Sequence, residues 1–138
     1  MTPLLQNIAE YLASKLDRTV GQDVFYYELP DEPDECVAAV EIPTNAYGSV
    51  SQIAASMHRV RIYARHTSNV LADELASSCF KALKADAEDP DTDGTGFLRM
   101  PDGSFIYVFL RGEPVWERMD QRKRRLFTFE AIITSEKL

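Results

Sequence analysis

Leu5, Ile8, Leu12 and Leu16 recur at intervals of three and four, which puts one apolar stripe on a helix over Leu4–Leu16. Thr2 stands at the expected N-cap, Pro3 at the first helical position, and Val20-Gly21 is expected to end the element. Val24-Phe25-Tyr26-Tyr27 is a short run of strand formers. The acidic, proline-containing stretch Leu29–Asp34 reads as a turn. Cys36–Ile42 reads as the next strand, stopped by Pro43, and the two strands are expected to pair as an antiparallel hairpin. From Thr44 to Ser56 neither period is strong and small polar residues dominate, so a long exposed loop or hairpin arm is expected.

His58–Arg65 alternates: Val60, Ile62 and Ala64 face one way, and Arg59, Arg61, Tyr63 and Arg65 the other. Val70, Leu71, Leu75, Cys79 and Leu83 return to helical spacing over about Asn69–Ala85, with Thr67, Ser68 or Asn69 available as N-cap. An acidic linker, Asp86–Gly96, leads to strand candidates at Phe97–Met100, Phe105–Leu110, Val115–Arg118 and Leu126–Ile133. Pro101-Asp102-Gly103 is a hairpin turn between the first two. Phe105–Leu110 is almost wholly apolar and reads as a central strand, whereas Phe127, Phe129, Ala131 and Ile133 would face the core by alternation. This order predicts an α+β fold, a mainly antiparallel sheet with two helices packed on one face.

Composition narrows the class. A chain of 138 residues, 45% hydrophobic and 27% charged, suits one globular domain over residues 1–138 and excludes disordered, collagen-like and disulfide-scaffold proteins. No apolar run approaches the roughly 20 residues of a membrane span, and Met1–Asn7 lacks the pattern of a signal peptide, so no membrane association is expected. Cys36 and Cys79 are far apart among apolar neighbours and read as small, reduced core residues of an intracellular protein.

The net charge of −7 argues against nucleic acid as the main partner. Met1–Val50 holds two basic and nine acidic residues, and Ser51–Leu138 holds 13 of each. The excess negative charge is thus confined to the first third. Such polarity suits packing against copies of the same chain or a layered partner, or serves solubility alone.

Candidate chemistry is sparse. His58 and His66 bound one strand, about 25 Å apart if extended, and are expected as surface residues at its ends. Asp86–Gly94 faintly resembles a calcium loop, but Pro90 interrupts the spacing and no distal glutamate follows, so a solvated acidic loop is expected. Gly94-Thr95-Gly96 precedes a strand and has no Gly-Lys-Ser/Thr, unlike a phosphate loop. No catalytic residues, metal ligands or cofactor site emerge. The run Arg122–Arg125 admits phosphate contact, or pairing with acids of the same chain or a neighbour; the net charge favours pairing. The Arg59/Arg61/Arg65 stripe poses the same choice, and suits ion pairs between subunits.

The order of elements, with Val40-Glu41-Ile42-Pro43, the passage Val60-Arg61-Ile62-Tyr63-Ala64-Arg65 running into Leu71-Ala72-Asp73-Glu74-Leu75-Ala76, and the closing pair Val115–Arg118 and Leu126–Ile133, resembles the tail terminator (tail-completion, or minor capsid) proteins of long-tailed bacteriophages. The resemblance spans nearly the whole chain as a pattern of elements. It implies a structural protein of the virion tail, put together in the bacterial host cytoplasm. Such a protein forms a ring, usually hexameric, on the last layer of the tail tube, stops its polymerisation and offers a docking face to the head. The implied partners are further copies of the chain, the major tail tube protein and head–tail connector proteins, with no cofactor and no reaction. Tyr47, Ser49 and Gln52 in the 44–57 loop, together with Arg59, Arg61, Arg65, Arg122 and Arg124, are the expected contact residues. The competing readings are a head–tail connector component, a ligand- or nucleic-acid-binding module using Arg122–Arg125, and an enzyme with His58 or His66 beside a carboxylate in a closed pocket.

Overall fold

The computed structural model describes residues 3–43, 57–84 and 96–135. Helix α1 spans Leu4–Leu16 and buries Leu5, Ile8 and Leu12 of the expected stripe, with Ala9 beside them and Leu16 half-buried at its end. Its N-cap is Pro3, not Thr2, and no side chain caps it. The helix ends earlier than Val20-Gly21: Asp17 turns left-handed (φ 56°, ψ 48°) and its amide donates to Ala13 O.

Strand β1 is Val24–Tyr26 and β2 is Cys36–Ile42. They pair in parallel, Val24 beside Val37 and Tyr26 beside Ala39, which corrects the expected hairpin. Tyr27, at φ 77°, ends β1, and its amide donates to Ala39 O. The chain then doubles back through 28–35, so β2 starts level with the start of β1. An arginine anchor described below holds that return loop, and local sequence could not foresee it.

β3 (Met57–His66) runs antiparallel to β2 and leads into α2 (Asn69–Lys84). Ser68 Oγ accepts the Leu71 amide at 3.4 Å, so Ser68 is the cap among the three candidates. β4 (Gly96–Arg99) and β5 (Phe105–Leu110) form the expected hairpin. Its turn is closed by Met100 N to Ser104 O at 2.7 Å and by Gly103 at φ +89°. β6 (Val115–Met119) and β7 (Arg125–Ser135) form a second hairpin with a bulge between Trp116 and Arg118.

The seven strands make one sheet in the order β1-β2-β3-β7-β5-β4, with β6 also pairing to β7. All pairs but β1–β2 are antiparallel. β7 is long enough to take β3 along one side and both β5 and β6, one after the other, along the opposite side. α2 lies on β3 and β7 and α1 on β1, β2 and α2, so both helices cover one face, as the α+β pattern requires. Leu12, Val60, Ile62, Leu83, Ala131 and Ile133 fill the core between the layers. The Tyr11 hydroxyl ties the two helices by donating to Ala82 O at 2.7 Å. Cys36 and Cys79 are buried free thiols, and burial pushes Cys79 up to about 12.

β5 is an inner strand, between β7 and β4, as expected, but only one of its two apolar faces is buried. Ile106, Val108 and Leu110 are buried, while Phe105, Tyr107 and Phe109 face solvent.

Candidate functional site

The strand registers arrange the helix-free face of the sheet in rows. Val40, Arg61 and Glu130 lie across β2, β3 and β7, and the Arg111 amide donates to Glu130 O just beyond β5. The next row is Ile42, Arg59, Ile132 and Phe109, and the one after it is Met57, Thr134, Tyr107 and Phe97. Arg99 and Phe105 close the pattern at the β4–β5 end. Alternation along every strand sends these side chains to one side while their neighbours enter the core.

At the centre stands Glu130. Arg59 Nε and Nη2 donate to its two carboxylate oxygens at 2.9 and 3.0 Å, and Arg61 Nη2 donates to Oε1 at 2.6 Å. Arg111 Nη1 lies 3.8 Å from Oε2. The hydrogen bond from Arg59 holds the Glu130 carboxyl below the usual glutamate range; partial burial opposes this, and Arg61 adds to it. The Glu130 hydrogen bond, with that of Tyr63, holds Arg61 above its usual value. Arg61 Nε is buried without an acceptor among the described residues. Arg59, Arg61, Arg99 and Arg111 share this face with a single carboxylate in the strand rows, so the surface carries surplus positive charge on a protein of net −7.

Beside the arginines lies an aromatic group. Phe97 is 68% exposed, Phe105 45%, Phe109 43% and Tyr107 37%. Phe97 and Tyr107 meet edge to face with centroids 5.0 Å apart. Contiguous exposed aromatics mixed with arginine have the composition of a protein-contact surface.

The other expected contact residues sort differently. Arg65 is buried, and its guanidinium donates to the carbonyls of Pro30, Pro33 and Asp34. Arg124 is also buried, donating to Asp120, to Asp34 and to the Asp31 carbonyl. Arg122 pairs with Asp31 and Glu32. For Asp120, burial pushes the carboxyl up, but the Arg124 amide and guanidinium and the Arg122 amide outweigh it, and the net shift is downward. A notch of about 620 Å³ lies here, lined by Arg65, Arg118, Arg122 and Arg124, but three of these four guanidiniums have acceptors in their own chain. Arg122 and Arg124 thus pair with acids of the same chain, one branch of the pairing that the net charge favoured, while Arg125 donates to the Lys123 carbonyl. Much of the acidic first third is consumed in the same way, and Arg18 further binds Asp23 and Glu35. Arg65 and Arg124 are structural staples for the 30–34 loop, so Arg65 drops out of the expected Arg59/Arg61/Arg65 stripe and Arg124 is not an exposed member of the basic run.

Both histidines end up beside carboxylates, at the ends of β3. His58 Nδ1 lies 2.7 Å from Glu41 Oε1, and His66 Nε2 lies 3.6 Å from Glu35 Oε2. His66 borders an open depression of about 240 Å³ rather than a closed pocket. Its Nδ1 accepts the Thr67 amide at 2.9 Å, which shapes the turn into α2, and Glu35 is already held by Arg18 at 2.6 Å. Among the described residues, no three His, Cys, Asp or Glu side chains are grouped to hold a metal ion, and no helix is long and apolar enough to cross a membrane. Tyr47, Ser49 and Gln52, and the acidic Asp86–Gly94 segment, lie outside the described residues.

Sequence reasoning missed Glu130, Arg99, Arg111 and the aromatic row. The period-two spacing of Phe105, Tyr107, Phe109 and Arg111 was the available signal, hidden because the intervening residues are apolar as well.

No curated protein matches the chain. A family model described as bacteriophage tail terminator protein matches residues 11–135, taking in every strand of the sheet, all of α2 and the C-terminal part of α1. The chain therefore belongs to the bacteriophage tail terminator protein family, a family of structural proteins of the phage tail.

Proposed function

We propose that the protein assembles into a ring, six-membered as the family resemblance implies, that seats on the last layer of the tail tube. There it halts polymerisation and presents a surface to the head. It acts through contact and catalyses no reaction. Its partners are further copies of itself, the major tail tube protein and the connector proteins of the head. Assembly takes place in the host cytoplasm, and the product is a virion component. The observation that carries this reading is the family match over residues 11–135 together with an exposed sheet face built of arginine and aromatic side chains. Arg59 and Arg61 belong to that face, and the 44–57 loop, with Tyr47, Ser49 and Gln52, is proposed to reach a neighbouring subunit or the tube.

The test is to delete the gene from its phage and measure tails by electron microscopy, then add purified protein to polymerising tubes. Capping gives overlong tubes without the protein and tubes of fixed length with it. Tubes of normal length in its absence overturn capping. Normal tails that fail to join heads point instead to a connector role.

A further inference from the structure

We propose that the aromatic–arginine face of the sheet receives the outer surface of α2 from a second copy of the chain. This rests on the ring reading and specifies which surfaces meet. The receiving face comprises Phe97, Phe105, Tyr107 and Phe109 flanked by Arg99 and Arg111. A surface that fits it carries apolar side chains among free carboxylates.

The acidic loop of the first third does not qualify, because Asp31, Glu32 and Asp34 are engaged by Arg122 and Arg124. The first two turns of α2 do qualify. Val70 is 65% exposed and Leu71 44%. Asp73 and Glu74 follow at helical spacing, also exposed, and among the described residues neither side chain forms an ion pair, Asp73 only accepting from Ser77 Oγ at 3.5 Å. The basic residues of α2, Lys81 and Lys84, lie in its last turn, so the acidic half of the helix meets the arginines and the basic end points away.

The positions of the two surfaces set the symmetry of the contact. α2 packs its buried side on β3 and β7, and its outer side points away from the sheet. The aromatic face lies on the opposite side of that sheet. One subunit therefore carries the two complementary surfaces on its two outer sides, and the same contact repeats from copy to copy. This is a head-to-tail arrangement, which closes into a ring when the rotation per step divides the circle. Two sheet faces cannot pair with each other at similar strength, because that would bring arginine against arginine.

The test is sedimentation velocity and chemical cross-linking of the full chain over a range of concentrations, with circular dichroism confirming the fold of each variant. Arg99→Glu with Arg111→Glu, and separately Asp73→Arg with Glu74→Arg, are each expected to weaken association by roughly tenfold or more, and the four changes combined to restore much of it. Phe97→Cys mixed with Val70→Cys is expected to form a disulfide between copies. If the native protein associates and neither reversal alters it, this pairing is wrong and the ring reading stands. If only the arginine reversal acts, the sheet face has a different occupant and the pairing is also wrong. If the native protein stays monomeric in solution, the cross-linking is repeated on added tail tubes: failure of the cysteine pair there while the native protein caps the tubes overturns the pairing alone, and failure of the native protein to cap them overturns both the pairing and the ring reading.

Discussion

Arg59 grips both carboxylate oxygens of Glu130 across adjacent strands, at 2.9 and 3.0 Å, and Arg61 shares one of them at 2.6 Å. One acid thus keeps two guanidinium groups ordered on an open sheet face, with a third, Arg111, close by. Fork geometry makes such bonds stronger than ordinary surface pairs.

Replacing that acid tests the arrangement. Glu130→Gln replaces one of the two acceptor oxygens by a donor amide and removes the carboxylate that, among the described residues, pairs with these arginines. The cost is expected to be about 1–3 kcal/mol in urea unfolding. A change indistinguishable from zero would show the cluster to be fully solvated.

The same group sets part of the acid sensitivity. Its carboxyl is depressed in the folded state, chiefly by the Arg59 hydrogen bond. The stabilisation is therefore complete above the unfolded-chain value and is lost as pH falls through the lower, folded one. Asp120 has the same sign. Stability is expected to hold through neutral pH and decline below the ordinary carboxylate range, near 4.5 for glutamate. Glu130→Gln should flatten part of that decline in thermal melts taken across the acid range.

Arg65→Ala leaves the carbonyls of Pro30, Pro33 and Asp34 without their donor and opens a space beneath the loop. A loss of about 2–4 kcal/mol is expected, with faster proteolysis between residues 28 and 35. Arg65→Lys should recover only part of it, because an ammonium lacks the fork that reaches three carbonyls.

The sheet face and the core should respond in opposite ways. Leu12→Ala, at a fully buried site, is expected to cost about 2–5 kcal/mol of stability. Phe97→Ala, at a mostly exposed site, should cost less than about 1 kcal/mol while weakening association. Unfolding curves and sedimentation on the same samples separate the two effects.

Cys36 and Cys79 are buried, and burial holds both thiols above their usual value. Arg65 and Arg124 partly offset the rise at Cys36. Neither thiol should react with a mild aromatic disulfide reagent until the chain is unfolded, when both should react. Rapid labelling of the native protein would indicate a local opening.

Where a clear hydrophobic period, or an apolar run bounded by prolines, marked an element, the sequence alone was enough. The helix Leu4–Leu16, the strand Cys36–Ile42, the second helix from Asn69 and the inward set Phe129, Ala131 and Ile133 follow from period and punctuation. The basic face of β3 and the self-pairing of Arg122 and Arg124 were also legible, since alternation and net charge are properties of the chain itself.

Only tertiary structure decided three further points. It set β1 parallel to β2, because the anchor for the returning loop, Arg65, is 31 to 35 residues away from the carbonyls it holds. It turned Arg65 and Arg124 inward, because a guanidinium is buried where unpaired carbonyls gather, and those carbonyls come from another part of the chain. And it left Phe105, Tyr107 and Phe109 exposed, because the two helices cover one face of the sheet and hydrophobicity alone does not tell a strand which of its sides will be covered.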